Sequence, residues 1–357
     1  MAVRALAKEG YLEAQPYPLP RRMPGLVYLD LNECPFSPPE HVVRAACSAA
    51  SRGNRYPTED DYMEVKRLVA EYTGMDPENV VLTAGGDEGL RAIFDVFVGN
   101  GDRVVLLEPG FAMMRFYTVV RGGFYQSVRL REAGTRFVLD ENEIIEASSG
   151  ARLVVIENPH NPTGSLLAGE ELVSRLLDET DAVVLVDEAY YEFAGVTVSR
   201  LIEKSDRLLV LRTLSKAFCL AGFRVGYVLA QPPAAELVRK ALTPFNLSVV
   251  QLAAARAALE DRGYVEGVIG HVNSEKERLR SRLESLGVKV YESYTNFLLL
   301  KTGIPDAHRE LAKHGVVVKQ IGSLGPDYIR VTIGTREEND KFLEAMEAVV
   351  AGKEKKH

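Results

Sequence analysis

Lys216 stands just beyond an apolar run, in Leu208-Leu209-Val210-Leu211-Arg212-Thr213-Leu214-Ser215-Lys216-Ala217-Phe218. A lysine at the end of a buried strand loses part of its hydration, which lowers its pKa and frees the amine as a nucleophile. Asp187 closes a second apolar run, Ala182–Asp187, and is followed by Glu188-Ala189-Tyr190. A carboxylate buried there is costly unless a cation pairs with it. A protonated pyridine nitrogen would be such a cation, although an Asp at this point also suits a helix N-cap. The third segment is Ile156-Glu157-Asn158-Pro159-His160-Asn161-Pro162-Thr163-Gly164. Each proline pushes the asparagine before it out of the helical region, so a rigid turn can aim the Asn161 amide into a site. His160 reads as a residue that fills this loop. In the fourth segment, Thr83-Ala84-Gly85-Gly86-Asp87-Glu88 joins a strand to a helix. Its glycines let backbone N–H groups approach a phosphate at the helix N-terminus. The GxGxxG spacing of a dinucleotide site is absent.

Such residues need a scaffold that ends several strands along one edge. Val80–Thr83 reads as a strand, with a helix over Asp87–Val98. Asp102–Leu107, Ala151–Glu157, Ala182–Asp187, Arg207–Arg212 and Val225–Ala230 are further runs rich in Val and Leu. Nearly continuous apolar strands separated by helices signal a parallel sheet covered on both faces, an α/β architecture. Open sheets of this kind bind ligands at the carboxyl ends of their strands. From Ala234 to Gly287 helical patterns dominate. Short strands follow at Val288–Tyr291, Asn296–Lys301, Val316–Lys319 and Tyr328–Ile333, before a closing helix over Glu337–Val350. The expected division is an N-terminal arm with part of a small domain (1–50), a large domain (51–235) and a C-terminal small α+β domain entered through a helical link (236–357).

Composition narrows the function classes. The chain has 357 residues, 46% of them hydrophobic, enough for a large core and two domains. Its net charge is −7, and the only basic cluster is the tail Lys353–His357, which argues against nucleic acid as a partner. No apolar stretch reaches membrane-spanning length, and Met1–Gly10 has no signal-peptide pattern. The cysteines, Cys34, Cys47 and Cys219, are odd in number and scattered. That spacing predicts neither a disulfide framework nor a metal site. The simplest reading is a soluble cytoplasmic enzyme.

Taken together, the motifs Asn158–Gly164, Asp187–Tyr190 and Thr213–Phe218, continued by Leu220-Ala-Gly-Phe-Arg-Val-Gly-Tyr227, resemble one family in kind, order and spacing. They resemble the fold-type I pyridoxal-5′-phosphate (PLP) aminotransferases, most of all the histidinol-phosphate aminotransferase group, from about Tyr17 to Val349. The resemblance implies a large domain with a mostly parallel seven-stranded sheet between helices, plus a small α+β domain. It implies that Lys216 holds PLP as a Schiff base and that Asp187 pairs with its ring nitrogen. Asn161 and Tyr190 would hydrogen-bond the phenolic oxygen. Gly86, Asp87, Thr213, Ser215 and Arg224 would hold the phosphate, and Phe111 would stack on the ring. Tyr56, in Asn54-Arg-Tyr-Pro57, matches a tyrosine that reaches the phosphate of a neighbouring subunit, which implies a homodimer with shared sites.

For the substrate, the resemblance implies that Arg330, in Tyr328-Ile-Arg-Val-Thr332, binds a carboxylate. Lys319 stands where the group usually carries a second arginine. Lysine keeps the charge but loses the bidentate fork. Tyr17 resembles an N-terminal tyrosine that contacts the substrate side chain from the partner subunit. Asn32-Glu33 matches the group's Asn-Glu-Asn, with Cys34 replacing the second Asn; Asn32 is taken as substrate-binding. The expected activity is histidinol-phosphate:2-oxoglutarate aminotransfer, a step of histidine biosynthesis, with ping-pong kinetics. The alternatives are an aromatic or broad-specificity amino-acid aminotransferase, or a PLP lyase like threonine-phosphate decarboxylase.

Overall fold

The computed structural model describes residues 3–354. Its strands are β1 (Val27–Leu29), β2 (Val80–Thr83), β3 (Arg103–Glu108), β4 (Phe124–Arg129), β5 (Arg131–Ala133), β6 (Arg136–Val138), β7 (Leu153–Glu157), β8 (Val183–Asp187), β9 (Leu208–Thr213), β10 (Gly226–Leu229), β11 (Lys289–Val290), β12 (Phe297–Lys301), β13 (Val316–Gln320) and β14 (Tyr328–Thr332). Seven of them form one sheet in the order β2-β10-β9-β8-β7-β3-β4. All neighbours in it run parallel except β10, which is antiparallel to both β2 and β9. Strands β2, β7, β9 and β10 are buried along their whole length. This burial is why they read as unbroken apolar runs, since helices cover both faces of the sheet. One hydrophobic cluster lies on each face.

The second sheet has five strands in the order β1-β13-β14-β12-β11. The N-terminal strand β1 adds to it in parallel beside β13, so segments from both ends of the chain build this sheet. The helix Glu40–Ala50 packs against the helix Val249–Glu260. That helix is opened by a capping box in which Ser248 and Gln251 satisfy each other's backbone N–H groups.

Two sequence expectations need correction. Edge strand β4 and the β5–β6 hairpin were missed, because their residues are mostly exposed and carry no apolar run. Cys34 and Cys219 form a disulfide, with Cα atoms 5.0 Å apart and 185 residues between them. Their separation along the chain hid a pairing that only the docking of β1 creates. Cys47 is free and exposed.

Candidate active site

The parallel register brings Glu157 and Asp187 to adjacent positions at the ends of β7 and β8, and Asp187 to Leu211 of β9. Asp187 is 9% exposed, and its Oδ1 accepts a hydrogen bond from the Ala189 backbone at 3.0 Å. Burial pushes its carboxyl up to about 7. A carboxyl held this way is suited to a cation that arrives with a ligand. Asp187 is not a helix N-cap: the next helix, Tyr191–Ala194, has Tyr190 at that position, and Asp187 instead closes a local turn through the Ala189 N–H.

Three residues past β9, Lys216 extends its amine to the carbonyl oxygens of Leu31 (3.3 Å) and Asn32 (3.0 Å). Burial, and after it the charge of Arg330, pushes its pKa down to about 8. The amine is therefore far more often neutral near physiological pH than a solvated lysine.

An anion cradle lies beside it. The helix Gly85–Phe97 begins at Gly85, whose φ is +77°. A Cβ on Gly85 would stand 2.5 Å from Nη2 of Arg224, so the guanidinium sits directly on this turn. Arg224 itself has φ +53°. Its Nη1 reaches Ser215 Oγ at 3.4 Å, and Thr213 Oγ1 lies 2.9 Å from the same hydroxyl. Helix-start N–H groups, two hydroxyls and one guanidinium form a donor set that fits a phosphate dianion. Asp87 pairs with Arg224 through Nη2 at 2.9 Å. Its carboxylate is thus occupied, and only its backbone N–H is left to offer an anion.

Tyr190 and Asn161 flank the space above Asp187. The Tyr190 hydroxyl accepts a hydrogen bond from Asn32 Nδ2 at 2.8 Å, and burial pushes its pKa up to about 12. Both Asn-Pro bonds of the 158–162 turn are cis. Asn161 Oδ1 accepts from Arg330 Nη1 at 2.5 Å, which orients the amide and leaves its nitrogen to donate. Arg330 also donates to the Asp30 carbonyl at 2.8 Å, and its buried Nε has no partner among the described residues. An unsatisfied guanidinium donor in this position suits a carboxylate ligand. His160 is buried, hydrogen-bonded to Thr163 at 2.8 Å and held neutral by burial, which pushes its imidazole down to about 3. It fills the loop, as expected.

The remaining sequence candidates fall as follows. Phe111 lies at the start of the helix Ala112–Val120, and its backbone N–H donates to Glu157 Oε1 at 2.8 Å. Asn32, taken from sequence as a substrate residue, is 2% exposed and serves as a joint. Its backbone N–H binds Thr332, its carbonyl meets Lys216 and Asn296, and its amide meets Tyr190. Lys319 is exposed and directly opposite Arg330 in the antiparallel register, so the two cations share one sheet face. Tyr17, half exposed, acts electrostatically on Arg330 of its own chain, whereas the sequence assigned it to a partner's site. Tyr56 is 74% exposed and stacks on exposed Phe245 with centroids 4.4 Å apart. Glu157, at the end of β7, joins the site although its local motif implies no role for it. Its signal in the sequence was a charged residue closing an otherwise apolar strand.

Residues 24–346 match the family model for aminotransferase class I and II. The chain belongs to this family. The class I and II aminotransferases are PLP-dependent, and the donor set around Lys216, Asp187 and Arg224 fits that cofactor. The histidinol-phosphate aminotransferase of Sulfurisphaera tokodaii is 37% identical over 91% of this chain and 90% of its own length. That of Thermococcus gammatolerans is 38% identical over 91% and 92%. The solved histidinol-phosphate aminotransferase of Sinorhizobium meliloti, in complex with PLP, superimposes with a TM-score of 0.83 at 27% identity, covering 91% of each chain. This aminotransferase has no metal-binding cluster among the described residues, and no described helix is long and apolar enough to cross a membrane.

Proposed function

We propose that the chain transfers the amino group of L-histidinol phosphate to 2-oxoglutarate. The observation that carries the substrate assignment is the pair of cations on one sheet face, buried Arg330 and exposed Lys319 directly opposite it. Arg330 is placed to hold the carboxylate of 2-oxoglutarate or glutamate. Lys319 offers a second positive charge farther out, where a phosphate tail would end. The relatives named for the same activity support the reading.

In this reading Lys216 carries PLP covalently through its amine. Asp187 pairs with the ring nitrogen, and Asn161 and Tyr190 donate to the phenolic oxygen. Gly86, Asp87, Thr213, Ser215 and Arg224 surround the phosphate, and Phe111 lies against the ring. Bound PLP supplies the electron sink. The Lys216 Nζ would accept the proton from the substrate α-carbon, a task that suits an amine whose pKa is down at about 8. Asn32 aims both Tyr190 and Lys216 through its amide and carbonyl. The 51–235 segment acts as the large cofactor-binding domain, and 1–50 with 236–357 close over it. We further infer a cytoplasmic homodimer in which Tyr56 reaches the phosphate of the other copy. Its exposure beside Phe245 supports this.

The test is a panel of amino donors with 2-oxoglutarate: L-histidinol phosphate, aromatic amino acids and O-phospho-threonine. L-Histidinol phosphate should give the highest kcat/KM with release of glutamate. Lys319→Ala should raise its KM about tenfold while the KM for 2-oxoglutarate holds, the size expected for one charge-assisted contact. An unchanged KM for the phosphorylated donor would remove the Lys319 assignment. Carbon dioxide release from O-phospho-threonine without glutamate would replace the transferase reading by a decarboxylase.

A further inference from the structure

Glu157 is a buried acid that the reaction outlined above leaves without a task. It ends β7 beside Asp187 and is 6% exposed. Burial, reinforced by the nearby Asp187 charge, pushes its carboxyl up to about 8, against the pull of two backbone donors. No cation is paired with it among the described residues. Such a group is costly in the core and persists where its hydrogen bonds are needed.

Glu157 Oε1 accepts a hydrogen bond from the Phe111 backbone N–H at 2.8 Å. The Asn161 N–H lies close enough to pull the same carboxyl toward its charged form. Phe111 is the N-cap residue of the helix Ala112–Val120, which has no side-chain cap of its own and no acid in its first turn. Helix N-termini leave N–H groups that need acceptors. Glu157 supplies from a different strand the acceptor this helix lacks. The contact is tight: a Cβ on Gly110 would stand 3.0 Å from Glu157 Oε1 and 2.6 Å from the Leu107 carbonyl oxygen. The 109–111 loop therefore rests directly on the carboxyl.

We propose that Glu157 is a positioning residue of the cofactor site, one carboxyl that anchors the Phe111 loop by a hydrogen bond and holds it at a set spacing from the Asn161 loop. The proposal rests on the PLP reading of the site. Glu157→Gln retains an acceptor oxygen, and Glu157→Leu retains the bulk without one. Apoprotein of each variant is titrated with PLP, and the visible circular dichroism per bound cofactor is recorded. Glu157→Leu should weaken PLP binding about tenfold, the cost of one orphaned buried donor, and lose most of the dichroic signal. Glu157→Gln should stay within about threefold of wild type, since its acceptor remains.

Unchanged affinity and dichroism in Glu157→Leu, even with a lowered Tm, would leave only a structural role and overturn the proposal. So would Glu157→Gln behaving like Glu157→Leu. If Glu157→Leu does not fold, Glu157→Ser, too short to reach Phe111, takes its place with the same expectation. Failure of the PLP reading is separately visible, because wild-type protein would then form no borohydride-reducible linkage at Lys216.

Discussion

At the scale of single residues, burial shifts the ionisable groups in and beside the site toward their neutral forms. Lys216 is pushed down to about 8, Asp187 and Glu157 are pushed up to about 7 and 8, and buried Glu192, close to Arg212, is pushed up to about 7, all first by burial. The consequence for stability has a definite sign. At pH 6.5 His160, pushed down to about 3, is neutral in the folded chain and about half protonated in the unfolded one, so it offsets only part of the effect of the carboxyls. Lys216 and Lys276 release protons only near pH 8, at the top of the window. Between those limits the folded apoprotein keeps protons on three carboxyls that the unfolded chain has lost. Its stability should therefore fall as pH rises from 6.5 to 8. Denaturant melts of apoprotein at the two pH values check this, and PLP-loaded protein should fall less, because the ring cation keeps Asp187 charged and paired. A flat or rising apoprotein profile would contradict the burial argument. Lys216→Ala should abolish the borohydride-reducible linkage altogether.

At the scale of elements, the cradle depends on how closely β10 presses on the start of the helix Gly85–Phe97. A Cβ on Gly226 would lie 2.8 Å from Gly85 C, 2.9 Å from Gly86 N and 3.0 Å from Arg212 O, all backbone atoms that cannot swing aside. Gly226→Ala should thus lower stability by about 1–3 kcal/mol, as overpacking does, and should weaken PLP binding because the displaced backbone is that of the phosphate cradle. A thermal melt and a PLP titration read the two effects. Beneath the same edge, Arg212 and Glu188 form a buried ion pair at 2.8 Å that ties β9 to the segment after β8. Removing one partner of such a pair costs on the order of 3–5 kcal/mol, because the other is left charged and alone.

At the scale of the whole molecule, the N-terminal segment is the bridge between the two sheets. It supplies β1 to the five-stranded sheet, Asn32 to Tyr190 and Lys216, and Cys34 to Cys219, three residues beyond Lys216. A disulfide that closes a loop of this length restricts the unfolded chain and should contribute on the order of 2–5 kcal/mol. Cys34→Ser should melt at a lower temperature than wild type without reductant and match wild type with it. Thiol titration of denatured, unreduced protein should find one thiol, Cys47; three thiols would show that the bridge does not form. In the proposed dimer, Tyr56→Phe should raise the PLP dissociation constant severalfold, by the worth of one hydrogen bond. Equal affinity would count against its reach into the other copy.

The sequence by itself determined the buried strands, because β2, β7, β8 and β9 each open with an apolar run of three or more residues and short-range pattern suffices to find them. It also picked out, from local motifs, Lys216, Asp187 and the Asn161 turn, each of which ends or follows a strand of the large sheet. Only the tertiary structure decided the rest. Exposed β4 and the hairpin carry no apolar signal, since their stability comes from pairing and not from burial. Asn32 became a buried joint to Tyr190, Lys216 and Thr332, because the N-terminal segment that supplies β1 docks beside β13. Cys34 met Cys219, and Glu157 met Phe111 and Asn161, through contacts between segments far apart in the chain. Hydrogen bonds and disulfides of that kind depend on distance in space, which residue spacing does not encode.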